Sequence, residues 1–302
     1  MKVVFFSESQ VNGKIPRDFP NARTEYAWMM ALDAPHYNIN NIPSEKFDLG
    51  IVIIPKNNPN IDLDSFRSCC NKVAVMQEGP HWFFQDYSVE QQFHYYNIVV
   101  SADWVYCHNE SDVSYYLGLG CKDVRVMRSL MMPEGLVPRS EWGKGTMIGG
   151  NFVSWYGGFD SYMVAREIGN PIWAPSMGRK QEQEDAIEDV DYLPYMTWRE
   201  WIETLGNYNV GVHLMRTHAA GTFAMNCAFH GIPCIGYKGL DTQEILYPLT
   251  TVEVGDLERA KQLALQLKEK KFYKLCSETS LKRFKKNYTE ESWKLNWSKI
   301  NE

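Results

Sequence analysis

The chain has 302 residues, 44% hydrophobic and 23% charged, a balance that excludes disordered and fibrous classes and is long enough for two domains with separate cores. A net charge of −6 gives no bulk attraction to nucleic acid or anionic lipid, and no apolar run approaches bilayer length, so no membrane span is expected. Seven cysteines, with Cys69 and Cys70 adjacent and no C-x-x-C, argue against a disulfide framework or a zinc site and fit a reduced, cytoplasmic chain.

Taken in chain order, strands and helices alternate. Lys2 to Phe6 reads as a first strand; the run MKVVFFSES turns polar at Ser7, too early for a signal peptide. A long polar loop with Gly13, Lys14, Arg17 and Arg23 leads to a helix from Thr24 to Ala31. FDLGIVIIP, from Phe47 to Pro55, is apolar on both faces, as a buried parallel strand requires. A short helix near Ile61 to Cys70, a strand from Lys72 to Gln77 and a helix around Val89 to Tyr96 follow. Ile98 to Val100 and Trp104 to Cys107 read as short strands, Ser111 to Leu117 as a helix, and Val124 to Met127 as the last strand of this half.

MMPEGLVPRSEWGK, between Met131 and Lys144, has linker composition. A second series begins with a strand at Thr146 to Ile148, a helix from Phe159 to Ile168 and a strand at Pro171 to Ala174. A charged loop from Arg179 to Asp191 and a helix from Trp198 to Leu205 come next. Cys234 to Tyr237 is a strand, and Leu257 to Lys268 an amphipathic helix with Leu263 and Leu267 on one side. In the tail, Phe284, Tyr288, Trp293 and Trp297 stand among lysines. That pattern suits either base stacking with single-stranded nucleic acid or, the preferred reading, a final helix packing its aromatic residues on the body. The expected organisation is α/β: residues 1–139 as one Rossmann-like domain, 140–280 as a second, and 281–302 as a helix packing back.

The segment NVGVHLMRTHAAGTFAMNCAFHGIP, from Asn209 to Pro233, carries the strongest functional signal. Val210, Val212 and Leu214 alternate as a strand, Gly221 and Thr222 open a helix, and Gly231-Ile232-Pro233 closes it. Unpaired N–H groups at a helix start add to the helix dipole and make a site for phosphate or carboxylate. Arg216 and His218 stand just before the turn and could add positive charge, with Arg179 and Lys180 on another loop. Arg216 could equally form a surface ion pair. In the first half, Glu78 and His81 follow a strand and so lie at the carboxyl edge of a sheet, where ligands of open α/β sheets gather. Glu78 could equally cap the turn at Gly79-Pro80.

The stretch from Tyr192 to Pro248, with HAAGTFAMNCAFHGIPCIGYKG at its centre, resembles the nucleotide-sugar half of GT-B glycosyltransferases. Gly221, Ala228, Gly231, Pro233 and Ile235 fall on that pattern. The first half is similar more loosely, through FDLGIVIIP, KVAVMQEGP and SADWVYCHNES. The resemblance implies two Rossmann-like domains facing a cleft, with a nucleoside diphosphate sugar as donor, no other cofactor and no metal. Where the family has two glutamates in E-x7-E spacing, this chain has His218 and Asn226; an Asn amide can still bond a ribose. Where the family places a phosphate-clamping Arg and Lys, GGNFVSWYGGFD supplies Asn151 and Gly157. GGNF also resembles the G-G-x-F segment of phage DNA β-glucosyltransferases, which carry an acidic base after the strand that corresponds to the one before Glu78.

The resemblance therefore implies a glycosyltransferase in which Glu78 is the general base, His81 assists, and Gly221 and Thr222 offer N–H groups to the phosphates. Arg216 and His218 would stabilise the leaving group, Asn226 would hold the ribose, and Asn151, Tyr195 and Met196 would complete the donor side. The acceptor is open among glycan, small molecule and modified DNA. Two other classes stay open: a binding module without turnover, and a nucleotide-sugar epimerase of the same fold.

Overall fold

The computed structural model describes residues 1–55, 60–77, 79–169, 171–175 and 182–302. The first lobe runs β1 (Val3–Ser7), β2 (Gly13–Lys14), α1 (Thr24–Leu32), β3 (Pro35–Asn38), β4 (Phe47–Ile54), α2 (Leu63–Arg67), β5 (Cys70–Gln77), α3 (Val89–Ser101), β6 (Trp104–Cys107), α4 (Glu110–Leu119) and β7 (Val124–Val126). Its strands form one sheet in the order β2-β3-β1-β4-β5-β6-β7, parallel except for the β2–β3 pair. Strand β4 shows why both faces are apolar. Leu49 and Ile51 join a cluster with Trp28 of α1, while Val52 and Ile54 join another with Phe66 of α2 and Tyr95 of α3.

Helix α3 corrects one expectation. Ile98 to Val100, read as a strand from its β-branched residues, lies inside this helix, because Tyr95, Ile98 and Val99 are buried along one helical face. Ser88 starts the helix with a capping box, its hydroxyl accepting from the Gln91 N–H at 3.3 Å.

The second lobe contains β8 (Thr146–Ile148), α5 (Gly158–Ile168), β9 (Ile172–Pro175), β10 (Val190–Leu193), α6 (Trp198–Leu205), β11 (Val210–His213), α7 (Thr222–Phe229), β12 (Cys234–Tyr237), α8 (Asp241–Leu246) and β13 (Thr251–Val252). These strands make an all-parallel sheet in the order β10-β9-β8-β11-β12-β13. Strand β10 begins within the stretch read as a charged loop, since Val190 and Asp191 pair with Ile172 and Trp173. Each lobe is thus an open, doubly wound sheet.

Three helices follow: α9 (Leu257–Gln266), α10 (Lys270–Asn287) and α11 (Glu290–Asn301). Helix α10 passes unbroken through residues 280 and 281, so the expected boundary there falls inside one helix. Helix α11 returns to the first lobe. Its Trp293 indole donates to the Arg128 carbonyl at 2.8 Å, Trp297 stacks on Tyr106 at 5.7 Å, and Tyr106 donates its hydroxyl hydrogen to Asn301 Oδ1. Phe284, Tyr288, Trp293 and Trp297 are all buried, so these rings serve packing and are not offered to bases.

The connection between the lobes is anchored. Arg139 donates to the carbonyls of Tyr208 at 2.7 Å, His230 at 3.0 Å and Gly231 at 3.2 Å. A single buried cluster runs from Leu130, Met131 and Met132 to Met147, Ile202 and Phe223, so apolar packing continues across the junction.

Candidate functional site

In the second sheet the strand order reverses between β8 and β11: the chain winds from β8 toward β10 and from β11 toward β13. Open α/β sheets bind ligands outside the carboxyl ends of the strands at such a switch point. Helices α5 and α7 begin just beyond these two strands. Each starts on a glycine in the left-handed region, Gly157 at φ 63°, ψ 32° and Gly221 at φ 64°, ψ 32°, and neither start has a side-chain cap. Close packing explains the residue type. A Cβ on Gly157 would lie 2.0 Å from the Leu214 carbonyl oxygen, and one on Gly221 would lie 2.0 Å from Thr242 Oγ1. First-turn N–H groups without side-chain caps, summed with two helix dipoles, favour an anion at this edge.

His213 ends β11 and was not singled out from sequence. Its signal there was modest: a polar residue closing the apolar run VGVH. The ring lies on Gly149, where a Cβ would stand 2.4 Å from its Cγ, and meets the Phe223 ring edge-on at 5.2 Å. Burial pushes its pKa down to about 4, so the imidazole is neutral near pH 7, and its Nε2 has no hydrogen-bond partner among the described residues.

The other expected donor-side residues fall into different settings. Arg216 pairs with Asp160 of the first turn of α5 at 3.0 Å, and Asp160 also accepts from the Tyr237 hydroxyl at 3.0 Å. Asn151 is buried behind Gly158, whose Cβ would come within 2.3 Å of the Asn151 carbonyl oxygen. Tyr195, beyond β10, is 76% exposed, whereas Met196 packs against the shared core. Thr222 is the first residue of α7. Asn226 is a correction. It is 1% exposed and its amide lies 3.1 Å from both Trp201 Nε1 and the Thr222 carbonyl; with the amide oriented to satisfy both, oxygen toward the indole N–H and nitrogen toward the carbonyl, it is engaged inside the fold and not presented to a ribose.

The two lobes meet through the first turn of α4. Asn109 donates to the Ala219 carbonyl at 3.1 Å and accepts from the Asp241 N–H at 3.0 Å, while Asp241 accepts from the Glu110 N–H at 3.1 Å. Ser111 Oγ donates to the Gly239 carbonyl at 3.0 Å, and Ser129 Oγ to the Ala220 carbonyl at 2.5 Å. Burial pushes the Asp241 carboxyl up to about 6. The loop carrying Gly221 is therefore gripped by the first lobe.

Within this junction the structure brings together His81, Asp112 and His218. His81 Nδ1 lies 3.0 Å and His218 Nδ1 3.2 Å from the same oxygen, Oδ1 of Asp112. Burial opposes ionisation of Asp112, yet hydrogen bonds from His218, His81 and Asn109 outweigh it and hold the carboxyl well below the usual range. The bond to Asp112, against the cost of burial, raises the His218 pKa. Gly239 gives His218 its place: at φ 112° it carries no side chain, and a Cβ there would lie 2.2 Å from Nε2. Asp112 was not singled out from sequence as the partner of both rings.

Glu78, Arg179 and Lys180 lie outside the described residues. Of the cations in the first long loop, Arg17 bonds Glu290 at 2.8 Å and also Glu134, and Lys14 pairs with Asp33, so both engage carboxylates.

No family model and no curated protein matches the chain. Solved structures do. Anabaena HepE in complex with UDP-glucose has a TM-score of 0.70 at 9% identity, over 100% of this chain and 99% of its own. The sucrose-phosphate synthase of Thermosynechococcus elongatus has a TM-score of 0.69 at 10% identity, covering 100% and 98%. S. aureus TarM, in a complex with UDP, reaches 0.64 at 11% identity over 86% of this chain, which spans 56% of the TarM chain. Among the described residues no helix is long and apolar enough to cross a membrane. The chain has the GT-B fold: two Rossmann-like lobes whose carboxyl edges are turned toward each other.

Proposed function

We propose that this chain is a glycosyltransferase that moves a sugar from a nucleoside diphosphate sugar, with UDP as the first donor to test, to an acceptor hydroxyl. The observation that carries this reading is the pair of glycine-started helices, α5 and α7, at the switch point of the second sheet. HepE with UDP-glucose and TarM with UDP support the choice of donor.

In this reading the diphosphate lies at the two helix starts, where the N–H groups around Gly157, Gly221 and Thr222 offset the charge that grows as the sugar leaves. Arg216 joins by exchanging Asp160 for phosphate, an inexpensive exchange because the Arg216 side chain is 58% exposed in its pair. In the inverting course the acceptor oxygen attacks the anomeric carbon and the bond from that carbon to the β-phosphate oxygen breaks. The acceptor proton passes to a base, and the nucleoside diphosphate departs with the bonding electron pair. Glu78, which follows β5 in the sequence, is proposed as that base, with His81, at the lobe junction, assisting. The seven cysteines, all unpaired and buried, support a cytoplasmic setting.

Incubation with a panel of nucleotide sugars and candidate acceptors tests the proposal. Free nucleoside diphosphate and a glycosylated acceptor are the expected products, lost in Glu78→Gln with donor binding nearly intact. Donor binding without release would instead favour a binding module, a reading that the internal engagement of Asn226 keeps open. A new nucleotide sugar would favour an epimerase, and no nucleotide binding at all would sink all three.

A further inference from the structure

We infer that His81, Asp112 and His218 form a site for one borderline first-row divalent cation, with zinc as the probe, built from ligands of both lobes. Among the described residues this is the one group of its kind, with its three ligand atoms within 4.8 Å of one another. The two Nδ1 to Oδ1 separations, 3.0 and 3.2 Å, are close to the edge of a tetrahedron whose centre-to-ligand bonds are about 2.0–2.1 Å, the usual length for zinc with imidazole or carboxylate. Two imidazoles and one carboxylate suit zinc or its neighbours rather than magnesium or calcium, which prefer all-oxygen shells. Three protein ligands leave a fourth position open.

The surroundings also fit. Asn109 donates to Asp112 Oδ2 at 3.1 Å, so the second carboxylate oxygen is held while Oδ1 faces the two rings. The Asp112 side chain is 6% exposed, and those of His81 and His218 are 19% and 27% exposed, which leaves a path for entry. Without an ion, two rings that converge on one oxygen must both carry their proton on Nδ1. A cation takes the Nδ1 lone pair of each ring, so on a neutral ring the single proton sits on Nε2 instead, which turns that edge from acceptor to donor. Because His218 belongs to the second lobe, the same ion ties the lobes together. This inference does not depend on the glycosyl-transfer reading.

The test uses the full chain freed of metal, dialysed against zinc, and separately titrated with cobalt(II), whose visible d–d bands report nitrogen and oxygen coordination. Expected are one ion per chain and tetrahedral-type cobalt bands. In His218→Ala and in Asp112→Asn, affinity should drop at least about tenfold while far-ultraviolet circular dichroism is unchanged. Zinc should also raise the melting temperature of the parent chain but not that of the variants. Failure of the parent chain to bind an ion stoichiometrically overturns the inference whatever the variants do, as does equal binding by parent and variants, which would put the ion elsewhere. Neither outcome bears on nucleotide binding or transfer.

Discussion

Gly157 and Gly221 hold the same backbone conformation to within a degree, each at the start of a helix and each just beyond one of the two strands that flank the strand-order reversal. The match places two bundles of N–H groups at one sheet edge. Alanine at either glycine meets both an unfavourable φ and an oxygen 2.0 Å from its Cβ. The φ term alone costs about 1–2 kcal/mol. Gly221→Ala should therefore melt earlier and bind UDP more weakly, and Gly157→Ala likewise. Gly118, inside α4 with nothing within 4 Å of its Cβ, is the control: alanine there should stabilise by about 0.5–1 kcal/mol. Parallel denaturation curves would expose the error if all three variants moved the same way.

Arg216→Ala should weaken UDP binding by about tenfold and leave uridine binding unchanged, since the side chain would act on phosphate. Its pair with Asp160 is mostly exposed on the arginine side, so melting should change little. Calorimetry with both ligands decides; equal losses for UDP and uridine would remove Arg216 from the phosphate site.

His108, His213 and His230 should make the fold acid-sensitive. Burial lowers each pKa to about 4 from a model-peptide value of 6.5. His230 shows why: Nδ1 accepts from the Arg139 N–H at 3.1 Å and Nε2 donates to the Ile202 carbonyl at 2.7 Å, a pair that only the neutral ring satisfies. The unfolded chain takes up protons below pH 6.5 while the folded chain does so only near 4. Their stabilisation is thus complete above the unfolded value and lost as pH falls through the window, by roughly 3 kcal/mol per ring over its full width. Urea unfolding at several pH values between 7 and 4.5 should trace that decline, and a flat profile would contradict neutral burial of these rings.

Trp297→Ala should cost about 3–5 kcal/mol, because the ring is 7% exposed and stacks on Tyr106 and Trp293. Leu295 on the same helix is 60% exposed, and its alanine variant should stay within about 0.5 kcal/mol of the parent. A small effect for Trp297→Ala would mean that α11 contributes little to the first lobe.

Much of this architecture is legible in the chain because the signals are local. FDLGIVIIP states a doubly covered strand because from Leu49 to Ile54 neither phase carries a polar residue, and the Gly221-Thr222 turn announces a helix start. What escapes is set by partners far along the sequence. Ile98 to Val100 has strand-like composition, and only burial along one helical face makes it helix. Val190 becomes a strand because β9 is beside it. Asn226 has the right spacing for a ribose contact, but Trp201 claims its amide. Asp112 gathers one histidine 31 residues away and another 106 away, a convergence no spacing rule could read.

The carbonyl of Arg128 accepts two indole N–H groups, Trp28 at 3.0 Å and Trp293 at 2.8 Å, the second across 165 residues of sequence. During translation the earlier lobe therefore leaves the ribosome with Trp28 and Tyr106 lacking their cover, and only the arrival of residues 293–301 seals that face. The nascent protein must carry an unfinished, sticky half through synthesis of the other half. A ribosome-associated holdase should bind stalled chains ending before residue 290 and release those that extend past α11.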